Sequence, residues 1–217
     1  MARFFAVSSQ VLYLGDMEMI RLPDPEALIR LLRTGARTEL TVDGYARAAV
    51  LVALRWTGHD YDVLLTKRTD QVETHKGQVA FPGGMKDGSD STVVDTALRE
   101  AEEELGIPAS AVQIAGVLDD IAIPTGFVVS PVVGLLATLP PLHPNPDEVV
   151  DAFYVPLSFF AGDVNGRREQ RTVGGRQYDV WYYTAGGHQV WGATAAIIRR
   201  FLAKIGPTDR PKQRPPE

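Results

Sequence analysis

Between residues 98 and 106 the chain reads LREAEEELG, which places Glu100, Glu102, Glu103 and Glu104 within five consecutive positions. On a helix of about 100° per residue, Glu100, Glu103 and Glu104 share one narrow stripe, and Glu102 lies on the far side. Three carboxylates at i, i+3 and i+4 suit oxygen ligation of a hard divalent cation, with open positions left for water and phosphate. Without a cation the arrangement is costly. Acids near a helix C-terminus oppose its partial negative charge, and like charges at i,i+4 repel. A solvated acidic face is the plain alternative. The segment FPGGMKDG, residues 81–88, shifts the balance, because Gly83 and Gly84 allow a ligand to approach the backbone closely. A strand, a Gly-Gly turn, an acid-bearing loop and a tri-carboxylate helix together make a cup for metal ions and a diphosphate.

The glutamates need a helix with a defined phase. Val94, Ala97, Leu98, Ala101 and Leu105 supply an apolar face beside the carboxylate stripe. Thr92 with Asp95 three residues on is a capping-box variant, and Gly106 suits the position just past the helix. Elsewhere, Asp24 and Pro25 start a helix through EALIRLLRTG that stops at Gly35. RAAVLVALRW and YDVLLTKR read as a strand hairpin turned by TGHD, followed by a polar loop, TDQVETHK, and a short strand, GQVAF. VQIAGVLDD, FVVSPVVGLLAT and EVVDAFYVPL read as strands, RREQRTV and QYDVWYYT as a second hairpin, and TAAIIRRFLAKI as an amphipathic helix. Trp181, Tyr182 and Tyr183 are expected to pack against the sheet. This order predicts an α/β (α+β type) domain with one mixed β-sheet and a helix on each face.

The 217 residues suffice for one domain with a core; 45% are apolar and 23% charged, an ordinary globular balance. A net charge of −5 argues against general nucleic-acid binding. There is no cysteine, which excludes disulfides, thiolate metal sites and a cysteine nucleophile. No apolar run reaches the roughly 18 residues of a membrane span. Residues 1–20 form a poor secretory signal, so a cytoplasmic location is the default; they are expected to be an unstructured leader, with Met17 or Met19 as an alternative start. Residues 21–205 are expected to form the domain, and the proline-rich 206–217 a disordered tail.

At REAEEELGI, Arg99 to Ile107, the chain resembles the Nudix hydrolases, whose box reads G-x5-E-x7-R-E-U-x-E-E-x-G-U with U apolar. The second half matches throughout. Gly84 stands for the leading glycine, Asp90 replaces the first glutamate, and one extra residue separates it from Arg99. Upstream, LLTKRTDQVETHKGQVAFPGG, Leu64 to Gly84, is similar to the segment preceding the box in members that cleave coenzyme A. Leu64, Leu65, Thr66, Arg68, Gly77, Phe81, Pro82, Gly83 and Gly84 match; Thr69 and Glu73 depart.

The resemblance implies an α/β/α sandwich and hydrolysis of a nucleoside-linked diphosphate. For coenzyme A the products are adenosine 3′,5′-bisphosphate and 4′-phosphopantetheine. ADP-ribose or a reduced nicotinamide dinucleotide is the alternative substrate, and a silent nucleotide-binding module the third reading. It implies Glu100, Glu103 and Glu104 as ligands of Mg²⁺ or Mn²⁺, with the Gly84 carbonyl beside them. Arg99, on the helix flank, is expected to brace one of the glutamates. Glu103 and Glu148 are both candidates for the general base, ahead of Asp119 and Asp120. Arg68 and Lys76 are candidates for phosphate contacts, with His75, Gln78, Gly83 and Gly84 in the same substrate-binding segment. The partner is a small molecule, with neither nucleic acid nor membrane, and a homodimer is left open.

Overall fold

A computed structural model describes residues 3–4, 21–69, 77–173 and 175–206. The elements in order are β1 (Arg3–Phe4), α1 (Pro25–Thr34), β2 (Ala46–Trp56), β3 (Tyr61–Arg68), β4 (Val79–Ala80), β5 (Gly83–Met85) and α2 (Val93–Leu105). There follow β6 (Val112–Val117), β7 (Ile121–Ile123), β8 (Phe127–Leu136), β9 (Val149–Pro156), β10 (Gly166–Val173), β11 (Arg176–Ala185), β12 (His188–Trp191) and α3 (Gly192–Ile205). Nine strands form one mixed sheet in the order β1-β9-β3-β2-β8-β6, with β4 on β3, β5 on β2 and β7 on β8. The β2–β8 and β1–β9 pairs are parallel, the others antiparallel. A second sheet, β10-β11-β12, is antiparallel.

Alternation along the strands divides the core in two. Ala49, Leu51, Ala53 and Leu64 pack with Ala97, Ala101 and Leu105 of α2. Val52, Leu54, Val63 and Leu65 face the other way, onto Leu28 and Leu32 of α1 and Ile197, Ile198 and Phe201 of α3. Helices therefore cover both faces of the sheet. Each such leucine or phenylalanine contributes about 1.5–3 kcal/mol by leaving water. No helix among the described residues is long and apolar enough to cross a membrane.

One irregularity positions the site. β2 pairs with β3 only over Leu54–Trp56. Further along, β3 takes β4 and β2 takes β5 as neighbours. Gly83–Gly84, expected as a turn, is instead the start of β5, with Gly83 opposite Val50 and Gly84 opposite Ala49. The reason is steric. A Cβ at Gly83 would lie 2.4 Å from the Ala49 carbonyl oxygen and 2.6 Å from Val50 Cα, so only glycine lets the backbones approach this closely. Three short strands, β1, β7 and β12, lie where the sequence suggested none; β1 falls within the expected unstructured leader and pairs with β9.

Candidate active site

Helix α2 begins and ends on local chemistry. Thr92 Oγ1 accepts from Asp95 N–H (3.2 Å) and Asp95 Oδ2 accepts from Thr92 N–H (2.8 Å), a reciprocal cap. Gly106, at φ 68°, closes the other end by donating to the Glu102 carbonyl at 2.8 Å. No basic residue sits in the last turn. Backbone amides of the loop before β9 meet the orphan carbonyls instead: His143 N–H donates to Leu105 O (2.8 Å) and Asn145 N–H to Glu104 O (2.9 Å). That docking satisfies the helix end and brings Glu148 to the carboxylate stripe.

Each glutamate of the stripe has a different environment. Glu104 is 1% exposed. Arg68 Nη1 donates to its Oε1 at 3.1 Å, while its Oε2 is buried with no partner. Burial pushes its carboxyl up to about 8; Arg68 pulls the other way, and the charges of Glu148 and Glu100 add to the rise. Glu100 is half-buried and lies against β5, where a Cβ on Gly84 would come within 2.5 Å of its carboxylate. Burial raises its carboxyl too, opposed by Arg99 and reinforced by Glu103 and Glu148. Glu103 is exposed and receives Arg99 Nη1 at 2.8 Å. Glu102 is also exposed.

Arg99 binds several partners at once. Its Nε and Nη2 each donate to Asp90 at 3.1 Å, Nη2 also donates to the Met85 carbonyl at 3.0 Å, and Nη1 lies 2.8 Å from Glu100 Oε1. Asp90, 6% exposed, is held near a pKa of about 2, first by the Arg99 hydrogen bonds and, against the cost of burial, by the Asp87 backbone N–H. Arg99 is correspondingly raised, chiefly by Asp90. Asp90 is thus the buried anchor that aims Arg99 at Glu100 and Glu103. Asp90 lies three residues before α2, and its spacing of nine from Arg99 was visible in the sequence; that it is buried and pairs with the guanidinium was not.

The structure gathers Gly83, Gly84, Arg68, Arg99, Glu100, Glu103, Glu104 and Glu148 around α2 and β5. Arg68, expected to reach phosphate, is paired with Glu104. Asn145 Nδ2 donates to Glu148 Oε1 at 3.1 Å, a partner that sequence reasoning did not single out. The Gln78 carbonyl accepts from Arg68 N–H at 3.0 Å, and the residue lines a cavity with Lys67 and His188. His75 and Lys76 lie outside the described residues. Asp119 and Asp120 serve elsewhere. Asp120 accepts from Arg37, Ser130 and the Leu40 backbone, which hold it below the usual carboxylate range despite burial, and Asp119 accepts from Thr38 N–H. They clasp the segment between α1 and β2 to the sheet.

Among the described residues no three acidic or histidine side chains are drawn together into a ready metal site; Arg99 and Arg68 occupy the carboxylates. Two features nevertheless fit a divalent cation. One is the buried, unpartnered Oε2 of Glu104. The other is the space at Gly84, which a Cβ would fill against Glu100. Hard carboxylate oxygens on adjoining turns are the donor set that Mg²⁺ and Mn²⁺ prefer.

Residues 44–172 match the model of the NUDIX domain. The chain is 44% identical over 156 residues to an uncharacterized Nudix hydrolase, NudL, of Pectobacterium atrosepticum, covering 69% of this chain and 77% of that protein. It is 40% identical over 198 residues to the NudL protein of Escherichia fergusonii, covering 88% and 98%. Among solved structures it is similar to RenU, a Nudix hydrolase from M. smegmatis. That match has a TM-score of 0.50 at 20% identity, over 78% of this chain and 100% of the other, a likeness of fold.

Proposed function

The chain belongs to the Nudix hydrolase family, and within that family we propose that it cleaves the diphosphate of coenzyme A to adenosine 3′,5′-bisphosphate and 4′-phosphopantetheine. The observation that carries the hydrolytic reading is the buried Glu104, with one oxygen on Arg68 and the other unpartnered, beside Gly84 and Glu100. The coenzyme A assignment rests on residues 64–84, whose matching positions run from the end of β3 into β5 and so deliver Arg68 and Gly84 to α2.

Glu100, Glu103 and Glu104, with the Gly84 carbonyl, would hold Mg²⁺ or Mn²⁺. Such a cation, when bound, polarises a phosphoryl oxygen and acidifies an attacking water. Arg99, fixed by Asp90, orients Glu100 and Glu103. Glu148 is the better placed of the two base candidates. Its Oε1 is held by Asn145, its charge acts on both Glu100 and Glu104, and its second oxygen takes the proton of the water. Glu103 is engaged by Arg99 and exposed. Arg68, paired with Glu104 in this structure, would be a guanidinium for the substrate's phosphate were that carboxylate to hold a cation.

The test is turnover of coenzyme A, ADP-ribose and NADH at millimolar Mg²⁺ or Mn²⁺, with EDTA controls and products separated by chromatography. The expected result is preferential, metal-dependent release of the two coenzyme A fragments. Preference for either dinucleotide would replace the substrate, and no turnover of any diphosphate by folded protein would leave a binding module.

A further inference from the structure

On the sheet face opposite α2 lies a cavity of about 350 Å³, lined among others by Lys67, Gln78, Val79, His188, Gln189 and Trp191. Its size is that of a small-molecule site. Strand alternation separates it from the glutamates. Along β3, Leu64 belongs to the α2-side core and Leu65 to the other, so Arg68 turns toward Glu104 while its neighbour Lys67 turns away.

Two of the lining groups stand ready for a ligand. Lys67 is in register with Asp151, but the Asp151 carboxylate is taken by His188 Nε2 at 3.0 Å. Among the described residues the Lys67 ammonium has no hydrogen bond or ion pair. Trp191 is the end of a cross-strand row. Arg167, Tyr182 and Trp191 are in register on β10, β11 and β12. Tyr182 and Trp191 stack at 5.7 Å and 11°, and the guanidinium carbons of Arg167 and Arg171 lie 4.9 and 5.4 Å from the Tyr182 ring centroid. The row supports the indole from one side. The indole also lines the cavity, and Gln189 is among the other lining residues.

We propose that this cavity is a nucleotide-binding site, with the phosphate at Lys67 and the base on Trp191, distinct from the carboxylate stripe of α2. A planar ring satisfies the indole, an amide can pair with a base edge, and a phosphate neutralises an otherwise uncompensated cation. The site binds without a divalent metal, because none of its groups is a metal-type carboxylate cluster.

Equilibrium dialysis and tryptophan fluorescence in EDTA, with AMP, adenosine and inorganic phosphate as probes, test this. AMP should bind saturably and more tightly than either component. Lys67→Gln should weaken AMP at least about tenfold, the worth of one charge-assisted hydrogen bond, while leaving adenosine unchanged. Trp191→Leu should weaken both AMP and adenosine in dialysis. Glu104→Gln should leave AMP affinity unchanged. Thermal melts establish that each variant is folded. Absence of saturable AMP binding, or binding indifferent to Lys67→Gln, would overturn the site. Loss of AMP binding in Glu104→Gln would move the nucleotide to the catalytic cup and likewise overturn it. Coenzyme A turnover is scored separately, so either proposal can fail without the other.

Discussion

Arg68 Nη1 lies 3.1 Å from Glu104 Oε1, joining the end of β3 to the last turn of α2 across 36 residues of sequence. The pair is unequal: the arginine side chain is 19% exposed and the glutamate side chain 1%. A carboxylate this buried is costly unless compensated, and removing its counter-ion strands it.

In EDTA at about pH 9, where the Glu104 carboxyl, raised to about 8, is ionised, Arg68→Met should therefore destabilise the protein by about 1–3 kcal/mol. Glu104→Gln placed in the same chain should recover part of that loss, since the second change removes the stranded charge. Urea unfolding of the four proteins gives the coupling. Purely additive effects would mean that the two groups do not sense each other.

Glu104→Gln keeps the shape of the side chain but removes an anionic oxygen from the stripe. Its kcat should fall about a hundredfold or more. Glu102→Gln, on the exposed side of the same helix, should stay within about twofold, as surface changes away from such features do. Comparable losses in both would sink the assignment of the stripe.

The two glycines of β5 should separate structure from chemistry. Gly83→Ala drives a methyl into the backbone of β2, 2.4 Å from Ala49 O, and should lower Tm strongly. Gly84→Ala meets first the carboxylate end of the Glu100 side chain, at 2.5 Å. It should fold with a small Tm change yet lose most of its activity and Mn²⁺ affinity, read by calorimetry. Equal melting losses in the two variants would contradict this division.

Asp90 gives a pH dependence with a defined sign. Its folded pKa, about 2, lies below the unfolded value of about 3.9. Its stabilisation is thus fully present above the unfolded value and is lost as pH falls through the folded one. Asp90→Asn should melt well below the parent at about pH 6, and the gap should narrow below about pH 4 and close near about pH 2. A gap constant across that range would show that ionisation of Asp90 does not hold Arg99.

Much of the α2 region was legible in one dimension. Thr92, Asp95 and Gly106 marked the ends of the helix, and its turn angle put Glu100, Glu103 and Glu104 together and Glu102 apart. The hairpin of β2 and β3 could be read from apolar runs around TGHD. The wedge of β4 and β5 between β2 and β3 could not, nor could the strand identity of Gly83–Gly84. Both depend on how closely another segment's backbone approaches.

The partners of the acids were equally hidden. Arg68 on Glu104 and the 143–148 loop over the end of α2 are meetings between distant segments, and Asp90 behind Arg99 depends on how the loop before α2 folds back on the helix. Amino-acid order determined the helix phase, the caps and the residue types of the stripe, because those follow from covalent geometry within a turn or two. Only the folded chain decided which cation faces which carboxylate and which of Lys67 and Arg68 looks toward α2. Those outcomes depend on which strands pair and which faces are buried, and that is settled by the whole core at once.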